Sequence, residues 1–285
     1  MLWVVERGIF QGKEEEKLIA EIKNQGHKVI EVLDIGQVYS QIESVDEYEL
    51  ANREPEPIIF RGSLKVAKYI NRYLSWWPGA IFNHNNFKCS TYYTYLGPYL
   101  LNDSYHLLPF RELQRKRWEL MASFYRDGGT TNPFIRPDSP MKIFHGDVYS
   151  LKELNISPIP DPSELVLIAP YKEIKKEYRF VVTTDRVISG ASYSRDNTNS
   201  ERVKDSSKAW NFVEEILDYL KKQEWSPDEL FVVDIASSIE HTSYRVVEIN
   251  SFSCSALYSN DLEAVVKVAS QVAEHKFKEI ENECR

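Results

Sequence analysis

Apolar and polar positions along the chain keep two rhythms, one of strands and one of helices. Leu2-Trp3-Val4-Val5 is a short apolar run and reads as a first strand. From about Lys13 to Gln25 the chain is charged, with Leu18 and Ile22 at helical spacing and Gly26 placed to stop the helix. His27-Lys28-Val29-Ile30-Glu31-Val32-Leu33 reads as a second strand, so the first 33 residues predict a βαβ unit and a parallel sheet. Residues 40–57 are acidic, contain Pro55 and Pro57, and are expected to form a loop or excursion. Ile58-Ile59-Phe60 is a third strand, leading through Arg61-Gly62-Ser63 into a helix from Leu64 to Leu74. Two readings of Gly62-Ser63 stay open: a substrate-facing turn beyond a strand end, or a tight turn with Ser63 capping the helix.

Residues 76–108 are aromatic and rich in asparagine, with no single period across the stretch, and are expected to be a packed connector rather than a pocket wall. A helix from about Arg111 to Tyr125 follows, apolar at Leu113, Leu120, Met121 and Phe124. Its Arg115-Lys116-Arg117 run is expected in water and Asp127-Gly128-Gly129 at its end. A domain boundary is placed near residues 105–110. Pro133 to Gly146 reads as strand, turn, strand, with Pro137 and Pro140 fixing the turn and Arg136 and Lys142 flanking it. Leu165-Val166-Leu167-Ile168-Ala169 is a strand cut by Pro170 and Tyr171. In Glu177-Tyr178-Arg179-Phe180-Val181-Val182, Glu177 and Arg179 share a face but sit too close to pair with each other, so each needs its own partner. Val187 to Tyr193 should pair back against that strand. Helices are expected from Lys208 to Gln223 and from Asp261 to Glu281.

Between those helices lie two strands, Phe231 to Ile235 and Tyr244 to Asn250, joined by a polar hairpin connection from Ala236 to Ser243. Glu248 and Asn250 point the same way, and the hairpin would bring Asp234 alongside. Two carboxylates and an amide on a dry face are costly without a cation, and all-oxygen ligands suit magnesium. The alternative is an edge strand with its polar side in water.

Composition narrows the classes. The chain has 285 residues, 42% hydrophobic and 27% charged, as in an ordinary globular protein of two or three subdomains. A net charge of −8 argues against broad binding to a nucleic-acid backbone. No run of about 18 apolar residues predicts a membrane span, and the N-terminus lacks a signal-peptide pattern. Cys89, Cys254 and Cys284 are widely spaced, which suits reduced thiols and a cytoplasmic location. No HExxH or paired-histidine pattern supports a zinc hydrolase. Cys89 has no nearby histidine and acid in sequence to make it a nucleophile.

The order of these signals, carried by FIRPDSPMKIFHG, APYKEIKKEYRF, SGASY, FVVDIA and VVEINSFSCSALY, resembles the ATP-grasp superfamily, in a divergent phage and bacterial branch. The resemblance implies an α/β pre-ATP-grasp domain over residues 1–105 and an ATP-grasp domain over 106–285, with subdomains of about 106–170 and 171–285. It implies ATP between two α+β subdomains. Arg136 and Lys142 match phosphate-contacting positions, Ala169, Pro170 and Tyr171 the adenine hinge, and Glu177 the ribose-binding acid. Arg179 matches a cation reaching the phosphates or the reacting carboxylate; Asp234, Glu248 and Asn250 match magnesium ligands. The catalytic set implied is Arg179, Lys142 and Arg195, the last in a polar lid over residues 194–207. Arg136 stands where many members have lysine, and the hinge lacks the usual glutamate before its aromatic residue.

The activity implied is a carboxylate–amine or carboxylate–thiol ligase that forms an acylphosphate and releases ADP and phosphate, acting on small-molecule or peptide substrates. A homodimer is compatible with it. A small-molecule kinase and a non-catalytic ATP-binding regulatory module are the alternatives.

Overall fold

A computed structural model describes residues 1–10, 13–33, 38–51, 55–126, 132–193, 200–238 and 243–283. The elements begin with β1 (Leu2–Arg7), α1 (Glu14–Asn24), β2 (Lys28–Leu33), α2 (Val38–Ala51), β3 (Ile58–Arg61), α3 (Leu64–Tyr73) and β4 (Pro78–Gly79). They continue with α4 (Cys89–Leu96), β5 (His106–Pro109), α5 (Phe110–Arg126), β6 (Phe134–Pro137), β7 (Asp147–Val148) and β8 (Leu165–Ala169). The last are β9 (Ile174–Thr183), β10 (Val187–Tyr193), β11 (Ser200–Arg202), α6 (Lys208–Lys221), β12 (Leu230–Ser238), β13 (Arg245–Ser251) and α7 (Leu262–Glu283). Among the described residues no helix is long and apolar enough to cross a membrane.

The chain divides into two compact units. The first takes residues 1–83, 177–234 and 249–285, the second residues 84–176 and 235–248. The first holds a four-stranded sheet of order β2-β1-β3-β4 in which every neighbouring pair is parallel, the βαβ arrangement expected from the sequence. α1 ends where Gly26 takes φ +79°, a conformation glycine adopts without a side-chain clash. β10 pairs antiparallel with β9, setting Tyr193 opposite Glu177 and Ala191 opposite Arg179. One apolar core, including Trp3, Leu18, Ile59, Val181, Val232, Phe252, Val266 and Ala269, serves this whole unit. Full burial of each such side chain contributes about 1.5–3 kcal/mol.

The second unit is built on a four-stranded sheet of order β5-β8-β6-β7, antiparallel throughout. Its core gathers Phe110, Leu113, Phe124, Ile135, Phe144, Leu151, Val166 and Ile168. The side chain of Arg115 lies in water, bonded to Glu112 on its own helix. The aromatic stretch ahead of it is packed: Phe87, Tyr92, Tyr93 and Leu96 are all buried.

Two expectations are corrected. Residues 40–57 do not form a loop: most of them lie in α2, because Val38, Ile42 and Val45, at helical spacing, bury an apolar face among the acidic residues. Met141 to Gly146 is not a strand. Pro140 lacks a donor, Lys142 turns to φ +48°, and the strand pairing with β6 begins only at Asp147. The expected helix stop at Asp127-Gly128-Gly129 and residues 239–242 of the hairpin connection lie outside the described residues.

Candidate functional site

In the first unit, β9 presents Arg179 to the last Asp of β12. Arg179 donates from Nε to Asp234 Oδ1 at 2.8 Å and from Nη2 to Oδ2 at 2.7 Å, a two-point clamp buried on both sides. Asn250 of β13 donates from Nδ2 to Asp234 Oδ2 at 3.1 Å. The remaining Arg179 fork, Nη1, donates to the Ala256 carbonyl at 3.2 Å. The guanidinium also lies 5.1 Å from the Tyr258 ring centre and 5.6 Å from that of Tyr193, two rings stacked 4.7 Å apart. Burial alone would lower the pKa of Arg179, but the Asp234 carboxylate overrides it and the pKa lies well above the ordinary value. Glu177, half-buried, is two residues earlier on the same strand face.

In the second unit, Arg136 of β6 donates from Nη2 to Glu248 Oε2 at 2.8 Å, and Lys142 Nζ reaches Oε1 at 3.3 Å. Arg136 is buried near Cys89, Tyr92 and Tyr93; burial lowers its pKa, but the charges around it leave it well above the ordinary value. The left-handed turn at Lys142 accompanies the position of its ammonium on Glu248. Cys89 is buried, with Sγ 3.6 Å from the Tyr92 hydroxyl, and burial pushes its thiol pKa up, so it is no nucleophile at neutral pH. Ala169 ends β8 inside the protein, and Pro170 and Tyr171 follow half-buried. The next residue, Lys172, donates to the Leu101 carbonyl and to Asp103, both at 2.5 Å.

The residues singled out in the sequence therefore fall into two contact groups, Arg179 with Asp234 and Asn250, and Arg136 with Lys142 and Glu248. Arg195 lies outside the described residues. The sequence did not point to Lys172, Tyr258, Glu14 or Arg61. The first two follow a proline-aromatic hinge and a serine-rich turn, where an exposed loop is the default expectation.

Among the described residues no three His, Cys, Asp or Glu side chains gather as a metal cluster. The candidate set is instead two acids and an amide, all hard oxygen donors of the kind magnesium takes. Each acid here carries positive charge from its own unit: Arg179 on Asp234, and Arg136 with Lys142 on Glu248. Such an arrangement fits a divalent cation bound together with phosphates. The same three side chains can pass from carboxylate to phosphate oxygens, leaving the carboxylates to the metal.

Residues 111–268 match a family described as "ATP-grasp domain", the second family of its clade, over more than half of the 285-residue chain. The chain belongs to the ATP-grasp superfamily. No curated protein matches it in sequence. Among solved structures, this ATP-grasp chain is similar to D-alanine–D-alanine ligase from Bacillus anthracis complexed with ATP, at 12% identity and TM-score 0.54, covering 100% of both chains. It is similar to D-alanyl-alanine synthetase A from Vibrio cholerae at 10% identity and TM-score 0.56, covering 96% of this chain and 98% of that one. The macrocyclase MdnC from Microcystis aeruginosa, bound with precursor peptide MdnA, is similar at 11% identity and TM-score 0.53, covering 94% and 99%. At these identities the likeness is one of fold: an N-terminal α/β part followed by the ATP-grasp domain, as the order of motifs implied.

Proposed function

We propose that the protein is an ATP-dependent ligase that activates a substrate carboxylate as an acylphosphate and joins it to an amine. The observation that carries this reading is the pairing of phosphate-type cations with magnesium-type acids, Arg179 on Asp234 and Arg136 with Lys142 on Glu248, within the family-matched residues. The ATP-grasp domain in this reading takes residues 106–285 and the pre-ATP-grasp part residues 1–105.

Ala169, Pro170 and Tyr171 hold the adenine edge and Glu177 the ribose hydroxyls. Arg136 and Lys142 hold phosphate oxygens, and Asp234, Glu248 and Asn250 hold magnesium. Magnesium, when bound, supplies charge neutralisation for the phosphates. Arg179 steadies the carboxylate or the phosphoryl group during transfer. A substrate carboxylate oxygen attacks the γ-phosphorus, the bond to the β,γ-bridging oxygen breaks, and ADP leaves. An amine then attacks the acyl carbon, the carbon–oxygen bond to phosphate breaks, and the amine loses a proton to solvent. No protein nucleophile is needed, which agrees with the neutral, buried Cys89 thiol. Residues 194–207, with Arg195, serve as the lid that keeps water from the acylphosphate.

Small-molecule and peptide carboxylates are both candidate donors, since the similar structures include a D-alanine–D-alanine ligase and a macrocyclase bound with its precursor peptide. An ATP-consuming ligase of this kind belongs in the cytoplasm. The test is release of ADP and phosphate from Mg·ATP across pools of amino acids, peptides and polyamines, followed by product masses. A joined product is expected; a phosphorylated product, or no release with any pool, would overturn the ligase reading. Glu248→Gln should fold and lose at least 100-fold in turnover, on the order of what one electrostatic transition-state contact supplies. Wild-type turnover in that variant would sink the assigned metal ligands.

A further inference from the structure

The strand order β2-β1-β3-β4 puts a topological switch between β1 and β3, and open α/β sheets take ligands in the crevice beyond the carboxyl ends of such strands. Here the chain's own side chains occupy those ends. Glu6, near the end of β1, accepts from the Ser63 amide at 2.7 Å, and a Cβ on Gly62 would stand 2.5 Å from Glu6. Arg61, the last residue of β3, is completely buried. Its Nη1 donates to the Phe252 carbonyl at 2.5 Å and its Nη2 to the Ser255 carbonyl at 2.6 Å. The guanidinium lies 4.9 Å from the Phe10 ring centre and 4.8 Å from that of Phe252. From α1, Glu14 accepts from the Leu257 amide at 2.7 Å and the Tyr258 amide at 3.1 Å.

All four of the Arg61 and Glu14 hydrogen bonds act on one segment, Phe252 to Tyr258. That segment turns its Ala256 carbonyl and Tyr258 ring onto Arg179, with Tyr258 held at φ +52°, where a residue with a side chain is uncommon. Holding the segment with a buried guanidinium is costly. Burial draws the pKa of Arg61 down to about 10, although it remains charged at neutral pH, and its Nε makes no hydrogen bond. An apolar side chain would fill the space at less cost but could not grip two carbonyls.

We propose that Arg61 and Glu14 are positioning residues for Arg179, holding the 252–258 segment in the shape that aims its guanidinium. The inference rests on the proposed function only through the role of Arg179 toward ATP.

The test is calorimetric binding of Mg·ATP to the full chain, with folding checked by circular dichroism. Arg61→Lys should weaken binding about tenfold although Arg61 is out of reach of solvent. Added to Arg179→Lys it should cause no further loss, the non-additivity expected of residues acting through one another. Glu14→Gln should weaken binding by a factor of about three to five and be equally silent on the Arg179→Lys background; this variant carries the test if Arg61→Lys does not fold. The Arg179 Nε–H resonance, identified by its disappearance in Arg179→Lys, should shift in both single variants without nucleotide. Independent, multiplying losses would mean plain structural support and overturn the proposal. So would wild-type binding with an unmoved Nε–H resonance, which leaves the ATP reading standing. A wild type that does not bind Mg·ATP overturns the functional reading, and the resonance alone then decides whether Arg61 and Glu14 set Arg179.

Discussion

Arg179 is aimed by partners far away in the chain. Its clamp, Asp234, lies 55 residues on, and Ala256 lies 77 residues on. The sequence shows the side of the strand on which Arg179 sits and that Glu177 cannot be its partner; it does not name Asp234 as the answer. Removing one member of a buried pair strands the other's charge. Asp234→Ala should therefore cost about 3–5 kcal/mol of stability, read as a lower urea midpoint. An unchanged midpoint would mean that the clamp is not formed in solution. Arg61 was invisible for a related reason: an arginine at a strand end before Gly-Ser reads as a solvated turn, and only the tertiary packing of Phe10 and Phe252 around it reveals burial. Cys89, by contrast, was read correctly as chemically idle. Cys89→Ala should keep Mg·ATP binding unchanged by calorimetry, and loss of binding in a folded variant would reveal a thiol role.

At the scale of elements, most strands and helices were legible because their apolar periods are regular, as in α6, where Trp210, Val213, Ile216, Leu217 and Leu220 are all buried. The failures came where local chemistry misled. Acidic residues and two prolines hid the apolar face of α2, and a plausible strand pattern at Met141 to Gly146 gave way to the left-handed turn at Lys142. Close backbone approach is another property that patterning does not show. In β10, a Cβ on Gly190 would stand 2.3 Å from the Phe180 ring of β9. Gly190→Ala should destabilise by about 1–3 kcal/mol through overpacking, measured by thermal or urea unfolding. At the start of α6, Ser207 accepts from the Trp210 amide at 3.3 Å, so Ser207→Ala should cost about 1 kcal/mol in the same assays.

For the molecule as a whole, the buried acids of the second unit set a pH limit. Burial raises the pKa values of Cys89, Tyr92 and Tyr93 above the ordinary 9.0 for a thiol and 10.0 for a phenol. The folded state then holds these protons more tightly than the unfolded chain, so their contribution is complete below pH 9 and falls as pH rises through the ordinary values. Arg61, with its pKa drawn down to about 10, acts in the opposite direction, as one group against three. The melting temperature should decline from about pH 9 upward, and Tyr92→Phe should flatten that decline. A melting temperature constant to about pH 11 would contradict the burial of the three groups.

The shared core of the first unit has a consequence for the order of events during synthesis. Trp3, Val5 and Leu18 leave the ribosome first, yet they pack against Phe252, Val265, Val266 and Ala269. At translation rates of about 5–20 residues per second, those early strands wait more than about ten seconds for the helix that covers them. During that interval a parallel sheet edge and a tryptophan stay uncovered, so the nascent chain should be a client of ribosome-associated chaperones. A version truncated before α7 should be captured rather than released.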